Sequence, residues 1–414
     1  MIYLFIHQNF PGQYLHLARY LAHQPENTVY FVTLPNGNEI AGVQKLNYEK
    51  VRPAAGSCHS FTVEVDVAVR TGLAVADKCR GLRDRGIQPD IIVGHAGWGE
   101  TLFVKDVFPD VPLLVNFEFY YHAHGVDVDF DPEFHSDFHH PSHLRVRNAT
   151  ALMAYDAADW GHSATQWQLK LHPPELRSRI SVLHEGVDTN AVRPDSKATF
   201  FLEKEGRLLT RSDEVITYVA RNLEPYRGFH VFMRALPEIL RRRPKAQVVL
   251  VGGDGVSYGT PAPPMSTFRE TLIAELGDQV DWSRIHFLGI QDYKSYLNLL
   301  QVSSVHVYLT YPFVLSWSFI EAMASGCLVI GSSTPPVLEV LKDGVNGLTV
   351  DFFGISELAD RIDEVLNDPS RMANLRKAAR QTAIDQFDLK SRTLPSWLRL
   401  FEDLIAGRRP AALL

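Results

Sequence analysis

The sequence predicts an α/β protein built of two doubly wound domains. Strand-type apolar runs alternate with helix-period segments from end to end, the unit from which parallel sheets are made. Glycine-bearing turns stand where several of those strands end, the positions at which open parallel sheets bind ligands. A chain of 414 residues exceeds one ordinary core, so two domains are expected, 1–195 and 196–390, with a helix and tail at 391–414.

In the first half, residues 2–6 form an apolar, buried-type strand, followed by a Pro11-Gly12 turn and the helical run GQYLHLARYLA, whose Leu15, Leu17, Ala18 and Leu21 share a face. Residues 28–32 are a second strand, 60–86 a helix, and 90–93 a strand closed by a glycine-rich turn at 94–100. A strand at 113–117 leads into Glu118 and His122, an acid and a histidine just past a carboxyl end. A helix is expected over 149–160, then a turn opening at Gly161 and a strand at 180–183. Pro194-Asp195-Ser196 and the polar stretch to Asp213 have the composition of an interdomain region.

The second half repeats the alternation: strands at 215–220, 247–251, 285–288, 305–309 and 327–330, and helices at 293–300, 319–324, 355–366, 372–385 and 396–405. The strand at 247–251 ends in Gly252-Gly253-Asp254-Gly255, a turn that lets a ligand approach the backbone.

Composition narrows the function classes. The net charge of −7 argues against nucleic-acid binding, whose affinity comes largely from neutralised phosphates. Three cysteines without C-x-x-C spacing fit reduced thiols and point to no zinc site. The N-terminus lacks the basic region of a signal peptide, and no apolar window approaches a membrane span. A cytoplasmic protein is expected, with peripheral membrane contact left open.

Three groups of residues carry chemistry. Arg221 and Arg227 flank a turn that enters a helix, an arrangement suited to a diphosphate; paired surface arginines are the bland alternative. The loop 310–317 precedes a helix whose N-terminus favours an anion. One turn inside it, Glu321 is either the acid of a Ser318-x-x-Glu321 capping box or a carboxylate able to accept two bonds from a sugar diol. Six histidines lie at 122, 124, 135, 139, 140 and 143, with His122-x-His124 and His139-His140 as tempting ligand pairs. No cysteine joins them, and Asp127, Asp129 and Asp131 suggest a solvated loop, so no metal is expected there.

Taken together, VARNLEPYRGF (219–229), VGGDG (251–255), FLG (287–289), FIEAMASGCLVIG (319–331), TPPVLEVLKDGVNGL (334–348) and HEGVDT (184–189) resemble the retaining family 4 glycosyltransferases. That resemblance implies the GT-B fold of two facing Rossmann-like domains, with the option of a C-terminal helix packing back on the N-terminal domain. It implies a nucleotide-diphosphate sugar in the cleft, and a polysaccharide, lipid-linked or small-molecule acceptor on the side of the first domain. Residue by residue, it puts Arg221 and Arg227 on the diphosphate, Glu321 on the ribose and Ile290 against the base. Gly253 belongs to the VGGDG turn. The backbone of Leu315, Ser316 and Trp317 faces the distal phosphate and sugar, and Gly12 approaches the donor from the first domain. Glu118 or His122 orients the sugar or the acceptor.

One departure stands out. The first acid of the family's Glu-x7-Glu motif is Phe313 here, and its glycine is Ser316. That leaves the donor sugar open and keeps a non-catalytic nucleotide-sugar-binding subunit as the alternative. An epimerase or phosphorylase on the same architecture is a further alternative. No cofactor or metal is expected, because positioning and fixed cations suffice for such a transfer.

Overall fold

The structure, a computed structural model, describes residues 1–53, 58–134, 140–262 and 264–412. Contacts divide the chain into two units: Met1–Val128, Asp137–Gly186 and Leu389–Leu414 make the first, Asp129–Ser136 and Val187–Asp388 the second. The changes of unit at Gly186/Val187 and Asp388/Leu389 compare with the expected 195/196 and 390/391. Val187 and Val192 explain the earlier change at the first boundary, since both lie in a core cluster with Phe319 and Met323 of the second unit.

The first unit is wound around parallel strands β1 (Ile2–Ile6), β2 (Thr28–Thr33), β3 (Val43–Asn47), β4 (Ile91–His95), β5 (Leu113–Asn116), β6 (Trp160–Ser163) and β7 (Ile180–Val182). Their order is β3-β2-β1-β4-β5-β6-β7, with a switch point between β1 and β4 where successive connections diverge. Leu4 and Ile6 pack with Ala68, Val75 and Leu82 of the helix Val63–Arg83. Tyr3 and Phe5 point the other way, against Leu17, Leu21 and Phe31. Both faces of β1 are covered, which is why it reads as an unbroken apolar run.

The C-terminal helix Leu394–Ile405 belongs to this unit. Its Trp397, Leu400 and Phe401 join the cluster around Phe5, and Trp397 Nε1 donates to the His184 carbonyl at 3.2 Å. The helix therefore packs back on the first domain. Truncating an indole as buried as this one costs roughly 3–5 kcal/mol.

The second unit opens with an antiparallel hairpin, β8 (Thr199–Leu202) and β9 (Arg207–Thr210). Its main sheet is β10 (Val215–Asn222), β11 (Gln247–Gly253), β12 (Ile285–Phe287), β13 (Val305–Tyr308), β14 (Val329–Ser332) and β15 (Leu348–Val350). The order β12-β11-β10-β13-β14-β15 repeats the winding of the first unit, again parallel throughout. The segment from Asp129 joins this unit through Asp131, whose Oδ2 accepts from Tyr311 Oη at 2.7 Å and lies 3.1 Å from His230 Nε2.

Periodicity alone does not reveal β3, β6, β8, β9 or β15. The helix expected to run to Trp160 ends at Ala157, and Trp160-Gly161-His162-Ser163 is a buried strand rather than a helix end and a turn. Polar side chains disguise it. Gly161 is required there because a Cβ would stand 2.6 Å from the Phe117 ring. The polar stretch before Asp213 holds the hairpin, with Phe200, Leu202 and Leu209 buried and Phe201 and Leu208 exposed. No helix among the described residues is long and apolar enough to cross a membrane.

Candidate functional site

Two groups of candidate residues stand at strand carboxyl ends, one in each unit. In the second unit, β10 runs out through Arg221 into a short turn, Pro225–Arg227, ended by Gly228 at φ +67°. A Cβ on Gly228 would lie 2.4 Å from Leu309 Cβ, so only glycine allows this close approach. The turn sends the Arg227 side chain inward. Its Nη1 donates to Thr310 Oγ1 at 2.8 Å, the Val314 carbonyl at 3.0 Å and Tyr308 Oη at 3.3 Å. The guanidinium lies 5.5 Å from the Tyr258 ring and 6.0 Å from that of Phe313. Arg221 is exposed, so the two arginines occupy different environments.

Glu224, between them, is fully buried, and its carboxylate accepts from the backbone N–H groups of Ser257, Tyr258 and Gly259. Sequence reasoning missed it; the available signal was a lone acid inside a turn bracketed by two arginines. Gly253 lies where a Cβ would come within 2.7 Å of Asn222 Oδ1, and Ile290 is 82% exposed beside it.

The helix Trp317–Ala324 begins after Ser316, without a side-chain cap. Ser316 donates its backbone N–H to Tyr308 Oη at 2.8 Å, and Leu315 is packed in the core. Ser318 lies inside the helix, so the capping box does not form. Glu321 instead accepts from Tyr293 Oη at 2.7 Å through Oε1 and from Tyr296 Oη at 2.8 Å through Oε2. Burial pushes its pKa up, and the two phenol bonds oppose that shift without cancelling it. Phe313 is 4% exposed, against Tyr226 and Tyr258.

In the first unit, Gly12 has φ +54°, and a Cβ there would meet the His7 ring at 2.8 Å. Glu118 follows β5. Its Oε1 accepts from Gln13 Nε2 at 3.1 Å, and its Oε2 lies 3.5 Å from His95 Nε2. The Gly97 N–H donates to His95 Nδ1 at 2.9 Å, which leaves the proton of the neutral ring on Nε2, directed at Glu118. Burial raises the Glu118 pKa, but His95 beside it, with His7 and Gln13, outweighs that and holds the carboxyl below its ordinary value. His7 is pushed down to about 3, chiefly by burial and then by His95. His122 is engaged elsewhere, Nε2 against the Leu171 carbonyl at 2.8 Å. The structure thus pairs Glu118 with His95, which the sequence placed in the glycine-rich turn at 94–100 without a role and which is instead the last residue of β4. Glu118 and His95 line a cavity of about 390 Å³.

Of the histidine-rich stretch, His135 and His139 lie outside the described residues. His140 Nδ1 accepts from the Ser142 N–H at the start of the helix Pro141–Arg147, and His140 and His143 stack on Phe61. Among the described residues no group of His, Cys, Asp and Glu has the arrangement of a metal site.

A family model described as "Glycosyl transferase family 4 group" matches residues 25–192, and one described as "Glycosyl transferases group 1" matches residues 201–382. The chain is 27% identical over 253 residues to a D-inositol 3-phosphate glycosyltransferase of Mycolicibacterium smegmatis, covering 60% of this chain and 54% of that protein. It is 26% identical over 235 residues to a GDP-mannose-dependent alpha-(1-6)-phosphatidylinositol monomannoside mannosyltransferase of the same species, covering 55% and 56%. It therefore spans about half the length of the curated relatives it matches. In fold it is similar to Anabaena HepE solved with UDP, at TM-score 0.67, 18% identity and coverage of 97% and 100%. Sucrose-phosphate synthase of Thermosynechococcus elongatus is similar at TM-score 0.69 and 18% identity, over 98% and 100% of the two chains.

Proposed function

The chain belongs to the group 1, family 4 glycosyltransferases, and from that membership we propose that it moves a sugar from a nucleotide-diphosphate donor to an acceptor hydroxyl with retention at the anomeric carbon. The observation that carries this proposal is the Arg227 guanidinium, held by Tyr308, Thr310 and Val314 at the mouth of the loop that starts the helix Trp317–Ala324. A cation fixed before the reaction begins costs no reorganisation when the diphosphate takes on charge. The bond from the anomeric carbon to the diphosphate oxygen breaks while the bond to the acceptor oxygen forms on the same face. The acceptor's proton passes to the departing diphosphate oxygen, and nucleoside diphosphate leaves.

Arg221, exposed to solvent, supplies a second positive charge to the diphosphate, and with two arginines in place the transfer needs no metal. Glu321, held by its two tyrosines, retains lone pairs for the ribose diol, since a carboxylate offers about four acceptor sites. Ile290 and Gly253 border the base and its ribose. Glu118 orients the acceptor hydroxyl.

The test is a thermal-shift and turnover screen of UDP-, GDP- and TDP-sugars with the wild type and Arg227→Lys. At least one nucleotide sugar should stabilise the wild type, by about 2.7 kcal/mol at a hundredfold excess over Kd. The shift should shrink in the lysine variant, which lacks the fork geometry. No stabilisation by any nucleotide sugar overturns the proposal. The buried Phe313 in place of an acid favours one second reading, a subunit that binds nucleotide sugar without transferring it. Binding without nucleotide diphosphate release for any acceptor would select that reading.

A further inference from the structure

Resting on the transferase reading, we infer that Asp131 is a positioning residue of the donor site. It ties Tyr311, in the loop 310–316, to His230, at the start of the helix Phe229–Arg242, and so fixes the two pieces of chain that carry and hold Arg227. The acids at 127, 129 and 131 suggest a solvated loop in the sequence, but Asp131 is buried. Its neighbours explain why.

Both carboxylate oxygens are engaged. Oδ2 accepts from Tyr311 Oη at 2.7 Å and lies 3.1 Å from His230 Nε2, while Oδ1 accepts from the Glu133 N–H at 3.0 Å. Tyr311 follows Thr310, whose hydroxyl accepts from Arg227. The Tyr311 N–H donates to the carbonyl of Tyr226, the residue before Arg227, at 3.0 Å, and the two tyrosine rings lie 4.5 Å apart. On the other side, His230 stands three residues after Arg227, across Gly228. Its Nδ1 has no hydrogen-bond partner among the described residues, which leaves the contact with Asp131 to orient the ring.

The acid does not sit on a loose arm. Residues 129–136 come from the first half of the chain but pack within the second unit. Phe134 meets His230 edge-on at 5.0 Å and Phe268 at 5.6 Å, and Phe130 stacks on Phe353 at 5.3 Å. Burial raises the Asp131 pKa, but His230 and Tyr311 beside it, with the Glu133 N–H, outweigh that and hold the carboxyl below its ordinary value. Asp131 is therefore an ionised acceptor at neutral pH, and hydrogen bonds to an ionised group are the strong ones. A cation whose supports are fixed before the diphosphate arrives binds it without first being ordered.

The test compares Asp131→Asn, Tyr311→Phe and the double variant with the wild type, all as the full chain. Glu133→Gln, on the same segment but part of a half-exposed ion pair with Arg234, is the control. Hydrogen exchange is measured without ligand, and Kd is measured for UDP, GDP and TDP beside UMP, GMP and TMP. Each single variant should speed exchange over 310–317 while β10 and β11 keep their protection. Each should weaken the nucleoside diphosphate that the wild type binds about tenfold, and leave its monophosphate unchanged. The double variant should lose no more than the worse single one, because both residues act through one bond. Tyr311→Phe carries the test should Asp131→Asn fold poorly. Unchanged exchange over 310–317, equal losses for diphosphate and monophosphate, or the same losses in Glu133→Gln overturn the inference and leave the transferase reading intact. If the wild type binds none of the three diphosphates, the transferase reading falls and the positioning role falls with it.

Discussion

The two units wind their strands in the same order and dress the carboxyl edges of their sheets with opposite chemistry. In the second unit, charged groups are buried and locked by hydroxyls and backbone: Arg227 on Tyr308 and Thr310, Glu321 between two tyrosines, Glu224 on three amides. In the first, His7, His95, His143, His162, His172 and His184 are buried, beside the acids Glu100, Asp127 and Glu185. His162 has no partner on either ring nitrogen and meets Trp397 edge-on at 4.6 Å. One topology thus supports a cluster of locked charges in one unit, and in the other a cavity lined by Glu64 and Glu118 beside His95. Connections rather than strand order decide which.

The largest consequence of that contrast is in acid. Burial pushes His7 and His162 down to about 3, and His172 and His184 to about 4, all in the first unit. The second unit has His306, also at about 3, and His286, lowered in the same direction. A histidine whose folded pKa is depressed stays neutral in the fold while the unfolded chain takes up its proton. Its contribution is complete above about 6.5 and is lost as pH falls from there towards the folded value, at about 1.4 kcal/mol per pH unit for each ring. Hydrogen exchange followed from pH 7 down to 5 should find β1, β4 and β6 losing protection before β10 and β13. If the second sheet opens first, the contrast is wrong.

Next in size is Arg227. Replacing it with alanine should lower turnover by about 10²–10³, the cost of removing one preorganised donor at developing charge. It should also destabilise the second unit by about 1–3 kcal/mol, because the Thr310, Tyr308 and Val314 oxygens lose their partner. Arg221→Ala sharpens the comparison. Because it is exposed, Arg221 should give about a tenfold loss in turnover with stability unchanged within ~0.5 kcal/mol. Equal losses in steady-state rate for the two variants would show that the arginines act as a matched clamp despite their different burial.

Much of this is legible in the sequence. Strands such as Ile2–Ile6 and Val305–Tyr308 announce themselves because both sheet faces are covered and every residue must be apolar. β6 stays hidden for the opposite reason: its burial is shared with Trp397, more than two hundred residues away in sequence, which tolerates Gly161 and His162 where a local pattern demands valine. The turn glycines at 12 and 253 were visible as close approaches, and a Cβ on either would meet a side chain, His7 or Asn222. His95 and Glu224 were not visible, because nothing local distinguishes a core histidine or a turn acid from one aimed at a neighbour. The cap reading of Glu321 failed on helix phase: Ser316, not Ser318, precedes the first helical residue.

That failure makes Glu321 the finest discriminator between the units. Its two oxygens are occupied by Tyr293 and Tyr296, so a glutamine can keep both contacts, accepting through its oxygen and donating through its amide. Stability of Glu321→Gln should therefore change by less than ~1 kcal/mol, measured by urea unfolding. Nucleotide affinity should fall about tenfold, near 1.4 kcal/mol, because an amide has fewer acceptor sites left for a diol. Filling the first unit's cavity with Val67→Phe should leave that affinity alone. A Glu321→Gln protein that binds nucleotide as the wild type does would mean that the two tyrosines exhaust the carboxylate. The second unit's locked charges would then be structural at this position, and the contrast with the first unit would rest on Arg227 alone.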